Sequence, residues 1–457
     1  MNVLWIVVDT LRAERMGCYG YFRDTSPTID RLAADGVLFE DFYCSALSTG
    51  AAFSCLFSGL PSIAHRFYAT PADSPNMMNF DDAIPTLPEI VQCNSSCRTV
   101  AVDNLMNFGG HMKQTARGFE FYINPTSDGG FPQPEYTAGE ALERFLPWLD
   151  CFGREEFFAF VHLWDPHHNP YRAPAYRDRF SQDPSSLDGL PALEAPAGYR
   201  YVPQWGRVGE IVWGVSGEQL VRDVDGGTAS MLDPGNERAM SQDLYDCSIA
   251  YMDSQLARLL DKLRDLALLD QTIIVLTADH GEGLGIHGTW GHGLLYEDTV
   301  HIPLILWRPG LLPQGVRVKG FAQHVDVAPT LLDLMGIAAP GRTLHSRIGT
   351  ALTVDVRMEG RSLLPQIRGD QPGRRFMVAE VRRGPPDPGY RSFREGAWKL
   401  IENLAGERQL YDLEWDPVEK VNLAQSEASR CEDMSLRLQA WVGEHLHGGA
   451  QDPMRIW

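Results

Sequence analysis

Apolar positions along the chain follow two alternating rhythms. Val3–Val8 is an unbroken apolar run, the signature of a strand buried on both faces. Arg98–Val102, Phe157–Val161, Thr272–Thr277 and Ile302–Leu306 repeat it, and the β-branched Thr272–Thr277 reads as a central strand. Between these runs the period changes. Ile249, Met252, Leu256, Leu260 and Leu263 fall on one face of a long helix over Leu244–Leu263. Ser26-Pro27 is a helix start, with Ser at the N-cap and Pro first in the helix, leading into Ile29, Leu32 and Ala33. This alternation predicts an α/β layered fold around a mostly parallel sheet.

The rhythm breaks twice. From about Ser181 to Glu237 the chain is rich in Gly, Pro, Asp and Ser, which predicts an irregular insertion suited to a lid or specificity loop. A second shift comes near Gly341–Val354. Beyond Arg361 short strands are expected at Trp398–Ile401 and Gln409–Leu413, with a closing helix near Ser426–His445. The expected organisation is therefore a large α/β domain over 1–360 and a smaller α+β subdomain over 361–457, since 457 residues exceed what one small core organises.

Composition narrows the partners. Apolar residues make up 44% and charged residues 22%, ordinary for a globular chain, and the formal net charge is -20. Such a field repels nucleic acid and anionic membrane, so neither is an expected partner. It also repels an anionic substrate, so an anion site here needs local positive charge, which a bound cation supplies. The opening Met1–Asp9 carries no basic leader, and its apolar run ends in a carboxylate, so it reads as a core strand rather than a signal peptide. No run is long and apolar enough to span a membrane, and a cytoplasmic location is the expectation. Eight scattered cysteines without a C-x-x-C pair read as free thiols. A homodimer is the default expectation for assembly.

Two carboxylates stand out by placement. Asp9 follows the first strand, and Asp279, with His280 next to it, follows the strand over Thr272–Thr277. Ligands in open parallel sheets bind beyond the carboxyl ends of strands, where two acids and a histidine can converge on one hard cation. Placement alone leaves helix capping equally open.

A series of motifs in order decides more. Asp9-Thr10-Leu11-Arg12 is followed by Gly17-Cys18-Tyr19-Gly20, then by Ser26-Pro27-Thr28-Ile29-Asp30-Arg31-Leu32 and Gly36-Val37-Leu38-Phe39. Leu56-Phe57-Ser58-Gly59-Leu60-Pro61, Trp164-Asp165-Pro166-His167, Thr277-Ala278-Asp279-His280-Gly281-Glu282 and His287-Gly288-Thr289-Trp290-Gly291-His292-Gly293 come next. His324-Val325-Asp326-Val327-Ala328-Pro329-Thr330 and Leu410-Tyr411-Asp412-Leu413 complete the set. Each is weak alone, but together they resemble the sulfatase-like hydrolases of the alkaline phosphatase superfamily along nearly the whole chain. The resemblance implies an alkaline phosphatase-like sheet sandwiched by helices, a metal-dependent ester hydrolase, and a small anionic ester as substrate.

It also implies roles. The family's nucleophile stands ten positions before the Gly that ends the next helix, and counting back from Gly59 gives Thr49. Sulfatases proper place there a Cys or Ser, within Cys/Ser-x-Pro-x-Arg, that is oxidised to formylglycine. Thr49-Gly50-Ala51-Ala52-Phe53 has neither the Pro nor the Arg, and Thr cannot become that aldehyde. Asp9, Asp279 and His280 would hold one divalent cation (Mn²⁺, Zn²⁺ or Ca²⁺) with Thr49 as a fourth ligand, and Thr10 stands where sulfatases often carry a further metal acid. His292 matches a lysine that contacts the ester, and His167 matches a histidine that protonates the leaving group. His162 and His301 read as structural, His324 as either a pocket or a core histidine, and Cys44 and Cys55 as buried structural thiols. A second metal on Asp165, His167 and His324 is a lesser alternative.

Three functions compete. A Thr49 nucleophile favours cleavage of a phosphodiester, a phosphonate monoester or a phosphomonoester, because water can cleave a Thr-phosphate at phosphorus. A sulfatase lacking formylglycine shares the family pattern, but its Thr-sulfate has no hemiacetal escape. A non-catalytic anion-binding member accounts for Phe53 and the Ala51-Ala52 pair.

Overall fold

Seven consecutive buried residues make β1 (Asn2–Val8), and being covered on both faces is why the run is apolar throughout. In the computed structural model the described residues are 1–68, 80–108, 110–126, 136–167, 176, 179–180, 199–202, 207–213, 219–222, 237–284, 287, 291–338, 343–345, 351–353, 358–382, 389–446 and 452–455. The other strands of the main sheet are β2 (Val37–Phe39), β3 (Arg98–Val102), β4 (Phe121–Ile123), β5 (Phe157–Leu163), β6 (Thr272–Ala278), β7 (Leu304–Trp307) and β8 (Val316–Val318). Their order is β8-β2-β7-β6-β1-β5-β3-β4. Strands β6, β1, β5, β3 and β4 run parallel to one another, whereas β7 is antiparallel to both its neighbours. The mostly parallel sheet is thus the expected one, with a direction change at β7 that an apolar run does not announce.

Helices pack in two groups. The first is α1 (Pro27–Ala34), α4 (Ala138–Phe152) and α5 (Glu237–Asp265); the second is α2 (Thr49–Ser58), α3 (Leu87–Asn94) and α6 (Val327–Leu334). Every residue of α2 is buried, and Phe57 on it lies 5.2 Å from Trp5 of β1 between ring centroids. Ser26 does hold the N-cap position of α1, but its hydroxyl makes no cap bond. Asp253 of α5 caps that helix instead, its carboxylate accepting the Thr28 and Ile29 N–H groups at 2.9–3.0 Å.

Strands β9 (Phe376–Val381), β10 (Tyr390–Glu395), β11 (Trp398–Asn403) and β12 (Arg408–Asp412) form an antiparallel sheet in sequence order, backed by α7 (Ala428–His445). The period-two alternation of β9 serves two cores. Met377, Ala379 and Val381 join the main core, while Val378 packs with Phe393, Leu400, Leu410, Met434 and Leu438 in a smaller one. A buried ionic knot also ties this sheet to the large one: Lys399, with no solvent exposure, lies 3.0 Å from Glu297 and 2.8 Å from Glu419. Much of the expected irregular insertion lies outside the described residues, but Tyr199–Val202, Arg207–Trp213 and Gln219–Arg222 within it form a small antiparallel sheet. Among the described residues no helix is long and apolar enough to cross a membrane.

Candidate metal centre and active site

Strands β1 and β6 pair in register with Val8 opposite Ala278, so the residues that follow, Asp9 and Asp279, leave the sheet side by side. Neither has solvent exposure, nor does His280. One ligand atom from each of the three lies within 4.8 Å of the others. Sequence reasoning brought these three together, and the fold agrees.

The atoms facing that point are unsatisfied. Asp9 Oδ1, Asp279 Oδ2 and His280 Nε2 are buried without a hydrogen-bond partner among the described residues. The far sides of the same groups are committed. Asp279 Oδ1 accepts the N–H groups of Thr10 at 3.0 Å and His280 at 2.7 Å. His280 Nδ1 lies 3.0 Å from the Gly281 carbonyl, an acceptor only, so its proton sits on Nδ1 and the Nε2 lone pair is free for a ligand. Buried polar atoms left unpaired cost free energy, and a cation removes that cost. The spacing fits as well: His280 Nε2 and Asp279 Oδ2 stand 3.3 Å apart. Two ligands about 2.0–2.2 Å from a tetrahedral ion are separated by roughly 3.3–3.6 Å.

Electrostatics agree with a site that wants positive charge. Burial pushes the Asp279 carboxyl up to about 6, helped by the charge of Asp9. Burial would raise Asp9 too, but the neighbouring His167, His162 and His280 hold it well below the usual carboxylate range.

Thr49 opens α2, and its Oγ1 donates to Asp9 Oδ2 at 3.5 Å, a long contact of the length that co-ligands keep. A helix N-terminus favours negative charge, which suits an oxygen that becomes an alkoxide and then an ester. Thr49 is preceded by Ser48 at φ 108, a conformation costly for a residue with a Cβ. The Ser48 hydroxyl donates to the Tyr68 carbonyl at 3.0 Å and secures that turn. The helix ends at Gly59, whose φ of 67 is the left-handed cap that Gly adopts without strain. The ten-residue count from Gly59 to Thr49 is thus one whole helix.

The loop after β1 is held from a distance. Thr10, at φ 56, has its carbonyl bonded by the Tyr245 hydroxyl at 2.6 Å, and that hydroxyl accepts the Arg12 N–H at 3.0 Å. Thr10 Oγ1 is itself buried without a hydrogen-bond partner among the described residues. Gly281 allows a second close approach: a Cβ there would meet the Asp298 carbonyl at 2.2 Å, and its N–H donates to the Thr299 carbonyl at 2.8 Å.

Other histidines sort clearly. His162 sits in the core but is more than filling: Nε2 lies 3.4 Å from Asp9 Oδ2 and Nδ1 2.9 Å from Asp103 Oδ1. Burial would lower its pKa, but the two carboxylates raise it to about 9, and the ring bridges Asp103 and Asp9. Phe53, at the position where sulfatases carry Arg, is buried against Phe57, Phe160 and the His162 ring. His324 uses both ring nitrogens, Nδ1 accepting the Ser45 N–H at 3.3 Å and Nε2 facing the Ala278 carbonyl at 3.0 Å, which makes it a satisfied core histidine. Asp165 accepts the Ala138 N–H at 2.7 Å. Its grouping with His167 and His324 around a metal is not what the fold assembles. Cys44 and Cys55 are fully buried free thiols, with burial pushing both thiol pKa values up. His301 is structural, its Nε2 2.9 Å from the Glu40 carbonyl.

His167 and His292 both reach the site. Their rings are 5.5 Å apart, and His292 stacks on His280 at 4.2 Å. Burial and the nearby His280 push His292 down to about 4, so it is neutral at physiological pH. Glu282 joins them, its Oε2 3.4 Å from His292 Nδ1. Glu282 belongs to the motif Thr277-Ala278-Asp279-His280-Gly281-Glu282, and the sequence alone assigns it no role.

The profile of the family described as Sulfatase matches residues 1–337. The chain belongs to the sulfatase family. A second profile, described as N-sulphoglucosamine sulphohydrolase, C-terminal, matches residues 285–443 of this sulfatase-family protein. It is 24% identical to iduronate 2-sulfatase of Homo sapiens over 432 residues, covering 80% of this chain and 74% of that protein. It is 32% identical to choline-sulfatase of Rhizobium meliloti over 191 residues, a match spanning 41% of this chain and only 33% of that relative. Among solved structures, the phosphonate monoester hydrolase of Agrobacterium radiobacter superposes with a TM-score of 0.72 at 21% identity, covering 97% of this chain and 96% of that one. A protein solved in complex with its substrate D-glucosamine-2-N,6-O-disulfate gives 0.75 at 19% identity, covering 100% and 99%. The sulfatase-family protein is thus a hydrolase in a fold shared by sulfatases and phosphonate monoester hydrolases. Enzymes of this family typically use a divalent metal, which the unpartnered atoms of Asp9, Asp279 and His280 fit.

Proposed function

We propose that this hydrolase cleaves a phosphoester, a phosphodiester or a phosphonate monoester, with Thr49 as nucleophile. Asp9, Asp279, His280 and the Thr49 hydroxyl would hold one divalent cation, Mn²⁺, Zn²⁺ or Ca²⁺. Bound there, the cation supplies Lewis-acid polarisation of the ester and favours the ionised hydroxyl. The observation that carries the reading is the Thr49 hydroxyl at 3.5 Å from a buried carboxylate, at the head of a helix.

The chain's own groups do the rest. Thr49 Oγ1 attacks phosphorus, and the bond to the leaving oxygen breaks. His167 and His292 stand together beside His280, where an imidazole N–H would meet the charge that grows on the departing oxygen. Asp103 and His162 fix the orientation of Asp9. Water then attacks the Thr-phosphate at phosphorus and regenerates the hydroxyl.

Sulfate ester hydrolysis is the second reading, favoured by the sulfatases among the relatives. Against it stands Thr49 itself, whose sulfate ester lacks the carbonyl-forming escape of formylglycine. Turnover of aryl phosphodiester, phosphonate and sulfate esters, with each of the three cations added, tests both. Phosphoester turnover lost in Thr49→Ala supports the first. Sulfate turnover that survives Thr49→Ala overturns it.

A further inference from the structure

His167, Glu282 and His292 come from three places: the turn after β5, the loop after β6, and the segment that returns toward Leu304. One ligand atom from each lies within 4.8 Å of the other two. Two imidazoles and one carboxylate are a complete protein ligand set for a borderline divalent ion with an open coordination position. One separation within the set is that of co-ligands. His292 Nδ1 and Glu282 Oε2 share a long hydrogen bond of 3.4 Å, and that span is close to the roughly 3.3 Å between two ligands of a tetrahedral ion. The set also abuts the Asp9–Asp279–His280 group, because the His292 ring stacks on His280 at 4.2 Å. Position 292 is where the family resemblance places lysine, an ammonium that binds no cation. Histidine there exchanges a fixed positive charge for a neutral donor and completes the trio.

We propose that His167, Glu282 and His292 form a second divalent-cation site, selective for Zn²⁺ or Mn²⁺ over Ca²⁺ because two of its three donors are nitrogen. With this second ion bound, the positive charge that a lysine would bring to the ester comes from the ion, and holding it replaces the N–H role that His167 and His292 have when the first ion is bound alone. This rests on the reading of the neighbouring group as the first cation site. In two-metal hydrolases such ions lie about 3.5–4 Å apart and serve the two ends of one displacement.

The experiment is metal counting on the full chain, stripped with chelator, dialysed and titrated with Zn²⁺, with elemental analysis of the washed protein and circular dichroism as the folding control. The wild type is expected to retain two Zn²⁺ per chain, and Glu282→Gln and His292→Lys one each. Asp9→Asn, which spares the second set, is also expected to retain one. A Ca²⁺ titration is expected to fill no more than one site. A wild type that binds a single Zn²⁺, lost in Asp9→Asn and kept in Glu282→Gln and His292→Lys, overturns the second site and leaves the first standing. Two ions that persist in both Glu282→Gln and His292→Lys overturn the residue assignment. No bound ion in the wild type overturns both sites.

Discussion

The hydroxyl of Thr49 meets the carboxylate of Asp9 across 3.5 Å, although 40 positions separate them in the chain. One residue directly follows a strand and the other begins a helix, so the contact depends on how α2 packs over β1. Removing the hydroxyl alone should leave that packing in place. Thr49→Ala is expected to lower kcat by roughly 10³-fold or more, with an unchanged thermal midpoint, while Thr49→Ser retains measurable turnover. Steady-state kinetics beside a melting curve checks it, and an active Thr49→Ala protein refutes the nucleophile.

Asp279 gives a prediction with a definite sign. Its carboxyl ordinarily titrates at 3.8 but holds its proton to about 6 in the folded chain, through burial and the charge of Asp9. The metal-free folded state therefore binds a proton more tightly than the unfolded state. Its stability falls as pH rises from about 3.8 to 6 and stays lowered above that window. Asp279→Asn keeps an oxygen for the Thr10 and His280 N–H groups and removes the charge. Chelator-treated Asp279→Asn is thus expected to melt higher than chelator-treated wild type at pH 8, and to lose the stabilisation that added cation gives the wild type. Melts with and without cation at pH 5 and pH 8 read both effects.

Phe53 invites a misleading rescue. Restoring the family's arginine would place a guanidinium among Phe57, Phe160 and the His162 ring that lies between Asp9 and Asp103. Phe53→Arg is expected to destabilise the fold by several kcal/mol and not to raise sulfate ester turnover. Urea unfolding midpoints give the first outcome and an aryl sulfate assay the second.

Lys399 tests the link between the two sheets. It has no solvent exposure and pairs with Glu297 and Glu419. Lys399→Met takes the Lys399 cation from the buried Glu419 and leaves Glu297 with Arg394 alone, and a loss of about 3–5 kcal/mol is expected. Because Glu297 begins the turn whose Thr299 carbonyl holds Gly281, the same variant should bind cation more weakly. A stable Lys399→Met protein with unaltered cation affinity contradicts both.

Much of this was legible before any coordinates. The strands carrying Asp9 and Asp279 announce themselves because doubly buried strands must be apolar throughout, and the helix from Thr49 to Gly59 is bounded by a glycine at a left-handed cap. What stayed hidden depends on tertiary approach. The antiparallel sense of β7 leaves no trace in a short apolar run. Tyr245 supports Thr10 from 235 positions away, and nothing in the helical periodicity around it singles out its hydroxyl. His162 reads as structural from the sequence, yet its two nitrogens face two carboxylates. Glu282 is visible as part of a motif, but its meeting with His167 and His292 arises only when the loops after β5 and β6 fold together.

The register of β1 against β6, Val8 opposite Ala278, has a bearing on ancestry. It is written in backbone bonds and aliphatic side chains, not in the polar residues at the strand tips. Exchange of the residues at positions 10, 49, 280 or 292 therefore leaves the frame intact. A lineage built on this scaffold can change its ion, its nucleophile and the element it attacks, one tip residue at a time, without ever passing through an unfolded ancestor.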